Sequence, residues 1–160
     1  MPSERSDRRH DLYLDDLTVG DRFESPFGYT VTEADIVSFA LQYDPQPFHI
    51  DAEAAKQTPF GGLIASGFQT LAAGFRALYS SGVITSANLG GIGIDELRWL
   101  KPVRPGDTLR TVTIVKEIAP SKSKPDRGVL KHEVIVTNQR GEAVVTGTFV
   151  ILMKRKRDPA

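Results

Sequence analysis

From Gly91 to Lys154 nearly every stretch of this chain is suited to strands. Four runs, "GIGIDELRWLKPV", "DTLRTVTIVKEI", "VLKHEVIVTN" and "EAVVTGTFVILMK", are rich in β-branched residues and alternate in polarity. They are separated by Pro105–Gly106, by the polar loop "APSKSKPDRG" and by a turn around Gln139 to Gly141. Short connections favour antiparallel neighbours, so the four runs are expected to form a meander.

Only one long apolar segment precedes them. In "FGGLIASGFQTLAAGFRALYSSGVI", Ser66 is a candidate N-cap for a helix from Gly67 to Ser80. Phe68, Leu71, Ala72, Phe75 and Leu78 form one face of it, and Thr70, Ala73, Gly74 and Ala77 form a face of small residues. Two packable faces predict a helix enclosed by its surroundings, with backbone close to the small face. Gln69 and Arg76 near the middle argue against a membrane span. One buried helix followed by a long strand region predicts an α+β domain, a curved antiparallel sheet wrapped around a central helix.

The chain's 160 residues suit a single domain with a sizeable core. Lys plus Arg and Asp plus Glu number 20 each, so no charge excess points to nucleic acid or an anionic membrane. The absence of cysteine removes disulfides, thiol nucleophiles and Cys-type zinc sites, and fits the cytoplasm. "MPSERSDRRHDLYLDD" has no apolar core of a secretory signal. Residues 1–11 and 155–160 are expected to be tails, the first disordered and the second basic and solvated, flanking a domain over 12–154.

Before the central helix, an extended segment around Arg22 to Val31 leads to Thr32 and Asp35, a capping-box start for a helix carrying Ile36, Val37, Phe39, Ala40 and Leu41. Pro45 predicts its end by Tyr43. Asp51 is the expected N-cap of a short helix, "AEAAKQ". Between the two lies "YDPQPFHID", which sets Asp44 and His49 five residues apart around two prolines. On a regular helix that step turns the second side chain about 140° from the first. A proline-bent turn would let them converge. Spacing alone leaves a packed turn histidine as the simpler account. A metal site from His49, Asp51 and Glu53 is the weaker alternative: Asp51 has a capping role, and neither His10 in the tail nor His132 has ligand spacing. His132 is expected on a strand, partly buried or at an edge. Gly67, opening the apolar helix, would offer an N–H to an oxyanion with no side chain in the way.

The segment "FALQYDPQPFHIDAEAAKQTPFGGLIASGF" resembles the MaoC-like hydratases, relatives of the R-specific enoyl-CoA hydratases, whose signature reads approximately "FA…SGDxNPxHxDxxxA…FGxxIAHG". Phe39, Ala40, Asp44, Pro47, His49, Asp51, Ala55, Phe60, Gly61, Ile64, Ala65 and Gly67 match it, and "DELRWLKPVRPGDTL" is similar to the strand and turn that follow. The resemblance covers residues 18 to 153. It implies a single hot-dog domain with an extra helical segment carrying the Asp-x4-His turn, a homodimer or higher oligomer, and an acyl-CoA or acyl-carrier-protein thioester as substrate. No cofactor is implied beyond the substrate's CoA, and no nucleic acid or membrane partner.

By that resemblance Asp44 and His49 activate water and handle protons, the Gly67 N–H holds the enolate oxygen, and Phe60, Ala65, Ser66 and Phe68 contact substrate. The expected reaction is reversible addition of water to a trans-2-enoyl thioester, giving the (R)-3-hydroxyacyl product. The chain departs from the family at Ser66, where histidine is common, and at Phe75, where many members carry a serine supporting the aspartate. Two alternatives remain open. A hot-dog thioesterase would usually need a carboxylate near the central helix, and none lies between Ser66 and Ser81. A non-catalytic acyl-thioester-binding protein would not need Asp44 and His49 intact.

Overall fold

The computed structural model describes residues 12–84 and 86–156. The tail expectations for residues 1–11 and 157–160 lie outside the described residues. Two short strands, β1 (Arg22–Glu24) and β2 (Tyr29–Thr30), precede α1 (Glu33–Tyr43). Two short helices, α2 (Pro47–Ile50) and α3 (Ala52–Lys56), lead to the central helix α4 (Gly67–Tyr79). Four long strands follow: β3 (Asn88–Trp99), β4 (Thr108–Pro120), β5 (Arg127–Thr137) and β6 (Ala143–Lys154).

Local signals set the helix starts. Thr32 accepts from the Asp35 N–H, and Asp35 answers on the Thr32 N–H at 3.0 Å. Asp51 accepts from the Glu53 and Ala54 N–H groups, at 2.9 and 3.0 Å. α1 stops at Tyr43, before Pro45.

The sheet order is β1-β4-β5-β6-β3, with β2 also pairing with β4. This corrects the expected meander. β4, β5 and β6 follow one another as hairpins, but β3 pairs antiparallel with β6 at the far edge. The connection over residues 100–107 contains Pro102 and Pro105, which lack the N–H that a β3–β4 ladder would need. Its Val103 carbonyl instead accepts from the Ala65 N–H at 2.8 Å, so the chain crosses beneath the start of α4.

α4 lies on the concave side of the sheet, toward β4 and β5. Its small face is the buried one: Thr70, Ala73, Gly74 and Ala77 are inside. Gly74 approaches β5 so closely that a Cβ there would stand 2.5 Å from Val136 Cγ2. The Thr111 hydroxyl donates to the Gly74 carbonyl at 2.8 Å. The expectation of a helix enclosed all round is not met within one chain. Phe68, Phe75 and Tyr79 are exposed, although Phe75 stacks on Phe149. β3 is likewise open on both faces, whereas every residue of β5 is at least half-covered. A helix laid over a curved antiparallel sheet, with the α2–α3 segment beside it, is the hot-dog architecture.

A second apolar cluster, including Leu14, Leu17, Val115, Leu130 and Met153, closes the other end. There a 3-10 turn, Leu14–Asp16, meets the residues that follow β6. Arg155 donates to Asp15 at 2.8 Å, and Lys156 pairs with Asp16.

His132 is on the central strand β5 and wholly buried, not at an edge. The Thr113 hydroxyl donates to the Glu133 carbonyl at 2.8 Å, so its oxygen must accept from His132 Nδ1–H at 2.7 Å. Nε2 carries the lone pair and has no hydrogen-bond partner among the described residues. Burial pushes the His132 pKa from 6.5 down to about 4. The unfolded chain therefore takes up this proton first, and stability falls as pH drops from about 6.5 through 4. About 3 kcal/mol of His132's contribution is lost between pH 7 and pH 4. Urea unfolding at both pH values, compared with His132→Leu, measures this: the variant should lose less stability on acidification. Equal losses would exclude His132 as a source of the pH dependence.

Candidate active site

The Asp-x4-His step is built from a helix end and a single helical turn. Asp44 caps α1, its N–H donating to the Ala40 carbonyl at 2.9 Å. Gln46 is extended, and Pro47 opens α2 in the position where its missing N–H is no loss. The expected bent turn is therefore a one-turn helix, and it carries His49 inward to 3% exposure. His49 Nδ1 lies 2.7 Å from the Ile64 carbonyl. A carbonyl only accepts, so Nδ1 carries the proton and Nε2 is the nitrogen that faces the site. Nε2 stands 3.3 Å from Asp44 Oδ2.

Both Asp44 oxygens are engaged. Ser66 Oγ donates to Oδ2 at 2.7 Å and Gln46 Nε2 donates to Oδ1 at 2.7 Å. These two bonds, Ser66 first, hold the Asp44 pKa below the ordinary carboxylate value against the opposing effect of burial; His49 adds a smaller pull. Asp44 is thus kept as an ionised acceptor with fixed orientation.

Ser66 is fully buried, and its hydroxyl has two uses. It accepts from the Phe68 N–H at 3.3 Å, capping α4, while giving its proton to Asp44. Ser66 lies beneath the cleft and does not line it. The Gly67 N–H has no acceptor among the described residues. The space left by the missing Gly67 side chain is taken by Trp99, while Gly67 itself still lines the cleft: Trp99 Nε1 donates to the Gly67 carbonyl at 2.8 Å, and a Cβ on Gly67 would meet that ring at 2.6 Å.

A cleft of about 550 Å³ joins Asp44, His49 and Gly67. Phe60, Ala65 and Phe68 line it as expected residues, with Phe48 and Trp99 in addition. A second groove of about 500 Å³, between α1 and α4, holds neither Asp44 nor His49. Sequence reasoning passed over Gln46, although the family signature carries an amide residue, Asn, at its place. It also missed Trp99, for which no local signal exists. Among the described residues no group of three or more His, Asp or Glu is placed to hold a metal. Asp51 caps α3 and Glu53 pairs with Lys56. Among them, too, no helix is long and apolar enough to cross a membrane.

Chemically, the arrangement offers an ionised carboxylate, an imidazole nitrogen able to take or give a proton, and an unpaired N–H at a helix start. A hot-dog fold that brings these three groups to one cleft defines a class of proteins equipped for acid–base chemistry. Residues 16–138 match the family model of the MaoC like domain, and the chain belongs to that family. Protein YdeM of Bacillus subtilis, itself uncharacterized, is 34% identical over 144 residues, covering 90% of this chain and 100% of the relative. The (R)-specific enoyl-CoA hydratase of Rhodospirillum rubrum is 31% identical over 115 residues, 69% of this chain and 74% of its own length. The crystal structure of a MaoC-like dehydratase from Rhodospirillum rubrum superposes with a TM-score of 0.86 at 45% identity, over 92% of this chain and 100% of that one. Hydratases of CoA thioesters thus stand among this chain's relatives.

Proposed function

We propose that this protein is a hydratase or dehydratase of trans-2-enoyl thioesters. The observation that carries the proposal is Asp44 Oδ2, held by Ser66 and facing His49 Nε2 at 3.3 Å, in the same cleft as the start of α4. Water bound between Asp44 and His49 attacks C3 of the enoyl group. Its oxygen bonds to C3 and keeps one proton as the new hydroxyl; the other proton passes to the Asp44–His49 pair. Negative charge moves to the thioester oxygen, where the Gly67 N–H stabilises it. A proton from the pair then goes to C2, completing the 3-hydroxyacyl thioester, and dehydration is the reverse. Gln46 and Ser66 act by positioning Asp44; Phe60, Ala65 and Phe68 contact the substrate. Only acid–base groups are used, with CoA or a carrier protein as part of the substrate and no separate cofactor, in the cytoplasm.

The test is incubation with short and medium trans-2-enoyl-CoA substrates. Absorbance of the conjugated double bond should fall, the (R)-3-hydroxyacyl-CoA should form, and free thiol should stay at background. Free CoA released at the rate of substrate loss would replace this proposal with the thioesterase alternative. α4 carries no carboxylate to direct water at the thioester carbon, which favours hydration. An S product would place the substrate on the other face of the Asp44–His49 pair.

The same reading includes a homodimer. Among the described residues β3 has an unpaired outer edge, and Phe68, Phe75 and Tyr79 of α4 are exposed, surfaces suited to a second copy of this chain.

A further inference from the structure

We infer that a bulge in the edge strand β3 positions the oxyanion donor, by turning Trp99 so that it pins Gly67 at the start of α4. The kinetic consequence rests on the hydratase reading; the positioning itself rests on geometry.

The β3–β6 register breaks between Asp95, opposite Thr148, and Arg98, opposite Thr146. Glu96 and Leu97 occupy the gap against a single residue of β6, Gly147. Glu96 has φ 53°, the one positive φ at a non-glycine position among the described residues. L-residues with side chains rarely take up this conformation, and when they do the surroundings or the function account for it. The Glu96 side chain does not explain it, since its contact is an exposed ion pair with Arg98 at 3.3 Å. Bulges bend a strand and re-aim the side chains that follow. The side chain re-aimed here is Trp99, three residues on.

Trp99 reaches 32 positions back along the sequence to donate to the Gly67 carbonyl. Its ring occupies the space a side chain on Gly67 would need. Phe68 meets the ring edge-on at 6.0 Å. Gly67 is therefore held from two sides, by Trp99 on its carbonyl and by Ser66 before it, itself tied to Asp44. Glycine is required because the indole lies where Cβ would be, and tryptophan is required because phenylalanine has no N–H to donate. A donor aimed at developing charge works through its orientation; by fixing the Gly67 carbonyl in the next peptide unit, Trp99 restricts the Gly67 backbone angles that set the direction of this N–H.

Trp99 is the only tryptophan in the chain, so fluorescence reports on it directly. The test compares Trp99→Phe, Glu96→Val and Glu96→Gly with the parent by emission spectrum, Gly67 amide resonance and kinetics on an enoyl-CoA. Glu96→Val disfavours positive φ. It should change the emission, shift the Gly67 resonance and lower kcat about tenfold, with KM within about twofold. Glu96→Gly also removes the Arg98 pair but permits positive φ, and should keep the parent's emission, resonance and kcat. Trp99→Phe should shift the same resonance and lower kcat similarly. An unmoved Gly67 resonance in both Trp99→Phe and Glu96→Val overturns the inference, as does parental kcat in both. If the parent itself hydrates nothing, the functional reading fails, while the resonance and emission still decide the positioning.

Discussion

Asp44→Asn is expected to lower turnover by about two to four orders of magnitude while leaving the fold intact, the usual loss for a positioned acid–base group. The substitution preserves shape and can still accept from Gln46 Nε2, but it removes the negative charge that Ser66 and Gln46 stabilise, and with it the carboxylate base. His49→Gln should act on the same scale. A glutamine amide can replace the donor to the Ile64 carbonyl, yet it puts no basic nitrogen where Nε2 stands 3.3 Å from Asp44. Ser66→Ala separates the carboxylate's chemistry from its support. Losing the Ser66 bond lets the Asp44 pKa rise toward its ordinary value, so the acidic limb of the rate profile should move to higher pH. The loss at the optimum should be about tenfold, smaller than for Asp44→Asn. Parental rates in Asp44→Asn or His49→Gln, on a substrate the parent hydrates, would remove that residue from the mechanism.

Two copies of the chain are expected to sediment together at micromolar concentration, and Ile92→Lys is expected to shift them to single chains. β3 runs over Asn88–Trp99 and, among the described residues, pairs along one edge, with β6. Its first half, "NLGGIGI", carries no charge, and unguarded edges of this kind are normally covered or paired. Leu89, Ile92 and Ile94 are exposed along it. Pairing about a two-fold axis would extend the sheet across both copies and bring apolar surface from the two helices together. Ile92 is 62% exposed in the single chain, so lysine there costs the isolated fold little and acts at the shared edge. A parent that sediments as one chain would end this proposal. An Ile92→Lys variant that stays paired would move the interface away from β3.

Much of this was readable because it is local. The Thr32–Asp35 box, the Asp51 cap and the Ser66 cap each involve residues within three positions of one another. Asp44, His49 and Gly67 were visible through a short motif, and the cleft holds all three. What escaped was non-local. Nothing near β3 announces that its partner is β6, because the choice depends on where the proline-bearing link of residues 100–107 can pass. Ser66 reads as a cap, and it is one. That its hydroxyl proton goes to Asp44, 22 positions earlier, depends on how α1 and α4 are placed together. The burial of His132 follows from the same kind of fact: whether a strand is central or at an edge is a property of the sheet order.

The clasp between Asp15 and Arg155 joins positions 140 residues apart. In the unassembled chain such an encounter is rare, and a fold dominated by distant pairings forms slowly for that reason. Loop-closure cost grows only with the logarithm of length, however, and most of the intervening chain is already tied by β4, β5 and β6 before the two ends can meet. The clasp is therefore expected to form late in assembly and to open early in disassembly. Contacts formed that late have little influence on how fast a protein folds and act chiefly on how long it stays folded. Loosening the Asp15–Arg155 pair is therefore expected to shorten the lifetime of the native state, read as faster unfolding at an unchanged folding rate.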